Sequence, residues 1–157
     1  MRKFITIAAF LLSTVMLLHA EDELKIFVAA PDGITHENAA ATLKSNLTQA
    51  LVLNNVSAEY SRFIMRTDAI LLSKDVTPTA PPMYVTELEI SIFITDIETG
   101  ENLSQTSFTV KGIADNDKSS YMDAVKKIKA RDPKLRAMIN QAKEYYNEHI
   151  NQSDKTE

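Results

Sequence analysis

The chain has 157 residues, of which 45% are hydrophobic and 24% charged, and its formal net charge at pH 7 is −4. These values are typical of one folded domain and do not favour binding to nucleic acid. Cysteine is absent and the three glycines lie far apart, which excludes disulfides, thiol nucleophiles, a lipid-modified cysteine and glycine-rich phosphate-binding loops. The composition therefore gives no reason to expect a cofactor.

The first 20 residues have the pattern of a cleavable signal peptide. Arg2 and Lys3 precede an apolar run over residues 4–18, and Ala20 precedes three charged residues at 21–23. As an α-helix the apolar run would extend only about 22 Å, which is less than the ~30 Å hydrocarbon core of a membrane. We expect cleavage after Ala20, with an uncleaved N-terminal anchor as the alternative. The sequence thus predicts a periplasmic or secreted protein without a transmembrane span after cleavage.

Residues 21–150 predict a single α+β domain, and residues 151–157 a flexible tail. Residues 24–30 are typical of a first strand. Apolar positions spaced by three and four then predict a helix over residues 35–54, with Thr35 as its N-cap and Asn54-Asn55 at its end, since asparagine tolerates the left-handed conformation.

The middle of the chain predicts a second strand over residues 63–72 and an extended loop over residues 73–83. The loop is expected because Pro78, Pro81 and Pro82 lack a backbone donor and have a fixed φ angle. The prediction places the loop between two strands and outside the sheet.

Alternation of apolar and polar residues predicts a third strand over residues 84–95. A hairpin turn over 96–101 leads to a fourth strand over 103–113. In simple register, Lys111 lies beside Glu87 on the solvent-facing side of this pair.

The last third of the chain predicts two helices. Asn116 or Asp117 caps the first helix, and Asp132-Pro133 begins the second. The predicted order is β-α-β-β-β-α-α, a mainly antiparallel sheet of about four strands with the helices packed on one face.

Two groups of residues suggest alternative functions. Asp32, His36 and Glu37 lie close together in the sequence, which is compatible with proton transfer or metal binding in a small periplasmic hydrolase or metal-dependent enzyme. Their structural alternative is a solvated start of the first helix. Phe93 and Val85 on the solvent-facing side of the sheet would favour a small-ligand-binding module if they formed a concave apolar patch.

A short basic cluster and the proline loop are candidate contact surfaces. The loop residues Pro78, Pro81, Pro82, Met83 and Tyr84 form a rigid segment without charge, which would lose little entropy on binding a protein. The basic cluster is interpreted as a group of solvated cations near a helix C-terminus, and the alternative is a contact with an acidic partner or acidic lipids. Its members are Lys126, Lys127, Lys129, Arg131, Lys134 and Arg136.

Several of these segments resemble a group of small, exported, uncharacterised Gram-negative proteins. The resemblance rests on residues 73–83, on the turn with Asp96, Thr99 and Gly100, and on the strand end at 110–112. The plan is more distantly similar to envelope domains of the CsgG, TolB N-terminal and LpoB type. Those families are non-catalytic, so the resemblance implies binding or assembly and transfers no functional residue.

The sequence therefore favours an exported, non-enzymatic domain that binds another envelope protein through the proline loop. No catalytic, cofactor-binding or metal-binding residue is assigned. The predicted partner is another envelope protein and not nucleic acid, and a homo-oligomer is left open.

Overall fold

The structure is a computed structural model that describes residues 23–150. The predicted signal peptide and the predicted tail lie outside the described residues. The strands are β1 (Ile26–Val28), β2 (Phe63–Val76), β3 (Tyr84–Asp96) and β4 (Asn102–Ala114). The helices are α1 (Glu37–Leu53), α2 (Asp117–Val125) and α3 (Pro133–Tyr145), and a π-helical turn follows at Tyr146–Ile150.

The four strands form one sheet in the order β1-β2-β3-β4. β1 runs parallel to β2, and the other neighbours are antiparallel. The core lies on one side of the sheet, where α1 contacts β1, α2 contacts β3 and β4, and α3 contacts β4. This confirms the predicted α+β fold, the order of its elements and its mainly antiparallel sheet.

The pairing of β3 with β4 follows the predicted register. Glu87 lies opposite Lys111, and the inward positions Leu88, Ile90 and Ile92 are fully buried. At the start of the strand, Tyr84 is 37% exposed.

β2 is longer than predicted. Residues 73–76 were assigned to the loop, whereas in the structure they continue the strand and pair with β3, from Ser73 opposite Glu87 to Val76 opposite Tyr84. A register shift between Leu71 and Ser73 breaks the alternation that marks a strand in sequence. The four residues contain no proline, so each can donate to the ladder, and the loop contracts to residues 77–83.

The ends of the helices depend on local capping. Of the two asparagines that follow α1, Asn55 has the left-handed conformation, with a φ angle of 60°, and Asn54 is the C-cap. Asn116 accepts a 2.8 Å hydrogen bond from Ser119 N–H, and Asp132 accepts one of 2.8 Å from Lys134 N–H. The prediction of Thr35 as the N-cap was wrong. The N-cap is the next residue, His36, and its side chain makes no capping hydrogen bond.

α2 lies unusually close to the sheet at Gly112. A Cβ atom at Gly112 would overlap the carbonyl oxygen of Ser120 and the backbone nitrogen of Ala124. Opposite Gly112 on β3, the Thr86 hydroxyl lies 2.7 Å from the Ser120 hydroxyl, and both side chains are fully buried. Backbone contact and a satisfied buried polar pair together hold α2 on the sheet.

We predict that Gly112→Ala lowers the free energy of unfolding by about 2–3 kcal/mol, because the added methyl group meets backbone atoms that cannot move independently. Urea denaturation followed by circular dichroism measures the change. Gly100→Ala is the matched control: its φ angle is 76°, but a Cβ there has no atom within 4 Å. It should cost only about 1 kcal/mol of backbone strain, and equal losses would contradict the packing argument.

Candidate functional site

The far end of the β2–β3 hairpin leaves the outer edge of β2 unpaired within residues 23–150, although Thr86 and Leu88 of β3 are buried there. We call residues 70–76 of β2, the loop 77–83 and residues 84–89 of β3 the arm. β1 pairs with β2 only opposite Phe63–Met65, and an isolated bridge joins Asp32 to Asp68. Within residues 23–150, no strand pairs with the outer edge of β2 from Ile70 to Val76.

The loop at the tip of the arm satisfies many of its polar groups internally. Thr77 N–H donates to the Met83 carbonyl at 2.8 Å, and Met83 N–H donates to the Thr77 hydroxyl at 2.9 Å. The Thr77 and Thr79 hydroxyls lie 2.6 Å apart, and Thr79 donates to the Pro81 carbonyl at 3.0 Å. Three of the seven loop residues are prolines without an N–H. The loop therefore offers little hydrogen-bonding capacity to solvent.

All five sequence-predicted loop residues lie together at this tip. Pro78, Pro81 and Pro82 are exposed, Met83 is half-buried and Tyr84 is 37% exposed. No residue from 77 to 84 carries a charge. The tip is thus an uncharged apolar surface on a hairpin whose shape is held by its own hydrogen bonds.

Sequence reasoning missed a second group of exposed apolar side chains on the arm. Ile70 is 61% exposed, Leu71 and Leu72 are each 47% exposed, and Val76 is 56% exposed. Three consecutive apolar residues in a strand cannot all face one side, since successive side chains alternate. That run at 70–72 was the available signal for an exposed apolar edge.

The proposed cluster of Asp32, His36 and Glu37 does not assemble. The Asp32 carboxylate accepts a hydrogen bond from Gly33 N–H at 2.8 Å, whereas His36 Nε2 lies 3.5 Å from the carboxylate of Asp117. Among residues 23–150, no group of three His, Asp or Glu side chains is arranged to hold a metal ion. The histidine instead belongs to the contact between α1 and α2.

Asp117 joins three elements at that corner. Its carboxylate lies 2.7 Å from the Lys74 ammonium of β2 and 3.5 Å from His36, and the His36 ring packs edge-on against Tyr121, with ring centroids 4.9 Å apart. The hydrogen bond from Lys74, with a smaller effect of His36, lowers the pKa of Asp117. This ion pair connects the arm to the start of α2.

The opposite end of the sheet is closed by a buried carboxylate. Asp96 is 1% exposed, and Arg62 donates to its two oxygens at 3.2 and 2.6 Å. Burial raises the pKa of Asp96, but the hydrogen bonds and charge of Arg62 and the Glu98 N–H outweigh it, so the pKa is lowered overall. The Asp-x-x-Thr-Gly turn, which carries the sequence resemblance, is therefore a structural element.

We predict that Asp96→Asn lowers the free energy of unfolding at pH 7 by about 2 kcal/mol. Removing one partner of a fully buried pair costs about 3–5 kcal/mol, and partial exposure of Arg62 reduces that figure. Because the pKa of Asp96 is lowered on folding from its ordinary 3.8, its contribution is present at neutral pH and is lost as the pH falls through the lowered pKa.

Urea denaturation of both proteins at pH 7 and at pH 3 checks this expectation. The difference between wild type and Asp96→Asn should be smaller at pH 3. Glu98→Gln serves as the control, since Glu98 also contacts Arg62 at 3.1 Å but its side chain is 63% exposed. A loss of the same size in both variants would show that burial of Asp96 is unimportant.

The basic cluster is used partly to cover the outer edge of β4. The Lys127 ammonium donates to the Lys111 carbonyl, and the Lys134 ammonium donates to the Ser107 carbonyl at 3.2 Å. Ile113 N–H donates to the Asp123 carboxylate at 3.1 Å. Side chains from the helical layer thus occupy backbone groups that an added strand would need.

The surface proposed for a small ligand is divided. Phe93 and Val85 lie on the same strand, but Glu87, Glu89 and Ser91 separate them, so they form no continuous patch. An open depression of ≈ 440 Å³ between α1 and β1 is lined by Phe27, Lys44 and Glu59 among others. The Lys44 ammonium lies 5.6 Å from the Phe27 ring centroid, which accounts for that pair as an internal contact.

The solved structures that are similar to this chain include the following three. A minor lipoprotein from Acinetobacter baumannii is 10% identical, with a TM-score of 0.49 over 74% of this chain and 94% of that one. A Xanthomonas campestris protein, of a family named only as a domain of unknown function, is 11% identical, with a TM-score of 0.47 over 87% and 89%. A PelC dodecamer from Paraburkholderia phytofirmans is 13% identical, with a TM-score of 0.42 over 72% and 91%.

No protein-family model matches the sequence, and no curated protein matches it significantly. The low identities of the solved structures transfer no functional residue to this chain. The distant resemblance to CsgG, TolB and LpoB-type domains stays a prediction. In the part of the chain that the structure describes, no helix has the length and apolar character needed to cross a bilayer.

Proposed function

We propose that this protein is an exported, non-enzymatic domain that binds another protein of the periplasm or cell envelope through the tip of the arm. The observation that carries the proposal is the uncharged, internally hydrogen-bonded loop with Pro78, Pro81, Pro82, Met83 and Tyr84 at its surface. Export is inferred from the pattern of the first 20 residues.

The low polarity of the tip supports protein binding because burying an unpaired polar group is costly. Transfer of an unsatisfied amide or hydroxyl out of water costs about 1–3 kcal/mol in proteins. Hydrogen bonds within the loop already satisfy Thr77 and Met83 N–H. A partner can therefore cover the tip without providing many matching groups.

The rigidity of the tip also favours binding. Association loses free energy when mobile side chains and loops become ordered, and a pre-ordered loop reduces that loss. Proline fixes φ at three positions, and the contact between Thr77 and Met83 closes the base of the loop. Aromatic and methionine side chains, here Tyr84 and Met83, are enriched in protein interfaces.

The position of the tip leaves the core undisturbed on binding. β3 has 13 residues, which at about 3.3 Å per residue separates the tip from the β3–β4 turn by about 40 Å. The two hairpin ends are therefore far enough apart to serve as test and control positions on the same strand.

We expect a photo-crosslinking amino acid at position 84 to form a specific adduct with one envelope protein in cells of the native host. The same amino acid in place of Ile97, which is 58% exposed in the β3–β4 turn, should not form it. Mass spectrometry of the adduct identifies the partner.

A second variant tests the loop itself. Replacing Pro78, Pro81, Pro82 and Met83 with Ser or Gly, with the crosslinker kept at position 84, should abolish the adduct while circular dichroism shows an unchanged fold. An adduct of equal yield from positions 84 and 97, or one that survives the loop replacement, would refute the proposed function.

A further inference from the structure

We propose that the outer edge of β2 over residues 70–76 receives an extended segment of the partner protein as an added strand, and that this segment alternates apolar with basic residues. The inference rests on the proposed function, because this edge and the loop lie on the same arm. It names the conformation and chemistry of the partner segment.

The two long edges of the sheet are treated differently. Lys127, Lys134 and Asp123 occupy backbone groups of β4, which prevents a further strand from pairing there. The first half of β2 is covered by β1 and by the contact of Asp32 with Thr67 and Ala69. The second half, from Ile70 to Val76, has no such cover within residues 23–150.

The uncovered edge contains Lys74 and Asp75, but most of its side chains are apolar, and they are exposed although edge strands usually avoid such an exposed apolar surface. Ile70, Leu71, Leu72 and Val76 are each between 47% and 61% exposed. Unpaired backbone groups and apolar side chains along one edge are the features that strand addition uses, the first for affinity and the second for specificity.

The faces of the arm determine the chemistry of the added strand. On the solvent-facing side, the register brings together the carboxylates of Asp68, Asp75, Glu87 and Glu89. Against these four, the same side carries two cations, Arg66 and Lys111. The excess negative charge favours lysine or arginine on that side of an added strand.

On the side that faces the helices, this edge carries Leu71 and Val76 and, between them, Lys74, whose charge is paired with Asp117. Leu71 lies opposite Leu88, and Val76 lies opposite Tyr84. Since successive residues of a strand point to opposite sides, the matching segment has apolar residues on the side of the helices and basic residues on the other side. The charge and side-chain pattern of this edge therefore fits an extended segment in which apolar and basic residues alternate.

The test uses a fluorescent synthetic heptapeptide in which valine alternates with lysine, titrated into the purified protein and followed by fluorescence anisotropy. We expect saturable binding that weakens as salt is raised to the order of 0.1 M, where exposed charges are screened. A peptide with glutamate in place of lysine should not bind. A valine–lysine peptide N-methylated on alternate residues, which has lost backbone donors, should bind about tenfold or more weakly.

A matched pair of protein variants tests whether the peptide binds at the edge of β2. Val76→Lys should weaken binding about tenfold by opposing the basic peptide at the edge. Val52→Lys is the control, because Val52 on α1 is also 56% exposed and lies outside the arm. Both changes are on the surface, so circular dichroism should show that both variants fold.

Three outcomes would overturn the inference: equal binding of the valine–glutamate peptide, binding that is insensitive to N-methylation, or equal effects of Val76→Lys and Val52→Lys. Sedimentation showing a dimer that Val76→Lys dissociates would identify a second copy as the occupant and would also overturn it. The loop replacement separates the two hypotheses, since it should abolish the cellular adduct but leave peptide binding unchanged. Loss of peptide binding with a persistent adduct refutes the added strand alone.

Discussion

The contact of α2 with the sheet at Gly112 is the constraint on which the rest of the architecture depends. Because the residue opposite Ser120 and Ala124 has no side chain, the helix approaches the backbone of β4 directly, and the Thr86–Ser120 hydrogen bond fixes its position. Beyond this contact the β2–β3 hairpin continues to the exposed loop at 77–83, and within residues 23–150 no strand pairs with the outer edge of β2 over 70–76.

The arm would be a liability in a protein without a partner. Exposed apolar edges promote aggregation, and the same chain protects β4 with Lys127, Lys134 and Asp123. This contrast within one sheet is the main support for the proposal that the open edge of β2 binds a partner. The ion pair of Lys74 with Asp117 connects the arm to α2. This contact holds the exposed surface in a defined position relative to the core.

The two ends of the sheet use different physical means to form a turn. At the β3–β4 turn, the buried Asp96 carboxylate accepts hydrogen bonds from Arg62 and from Glu98 N–H. The polar groups of this turn are therefore paired with one another. At the β2–β3 tip, hydrogen bonds run within the loop itself and the surface is apolar. The first arrangement stabilises the fold, and the second leaves an apolar surface free to contact another molecule.

Local sequence determined the fold class, the order of elements, a cap at Asn116 or Asp117, the Glu87–Lys111 register and the position of the proline loop. Each depends on neighbouring residues: alternation, three–four spacing, a side-chain cap or a missing N–H. Only the tertiary structure decided that residues 73–76 belong to β2, because a bulge breaks the alternation there and the pairing with β3 is not local. It also decided that His36 contacts Asp117 instead of Asp32, and that apolar residues 70–72 lie on an open edge, since both depend on how far the helices extend over the sheet.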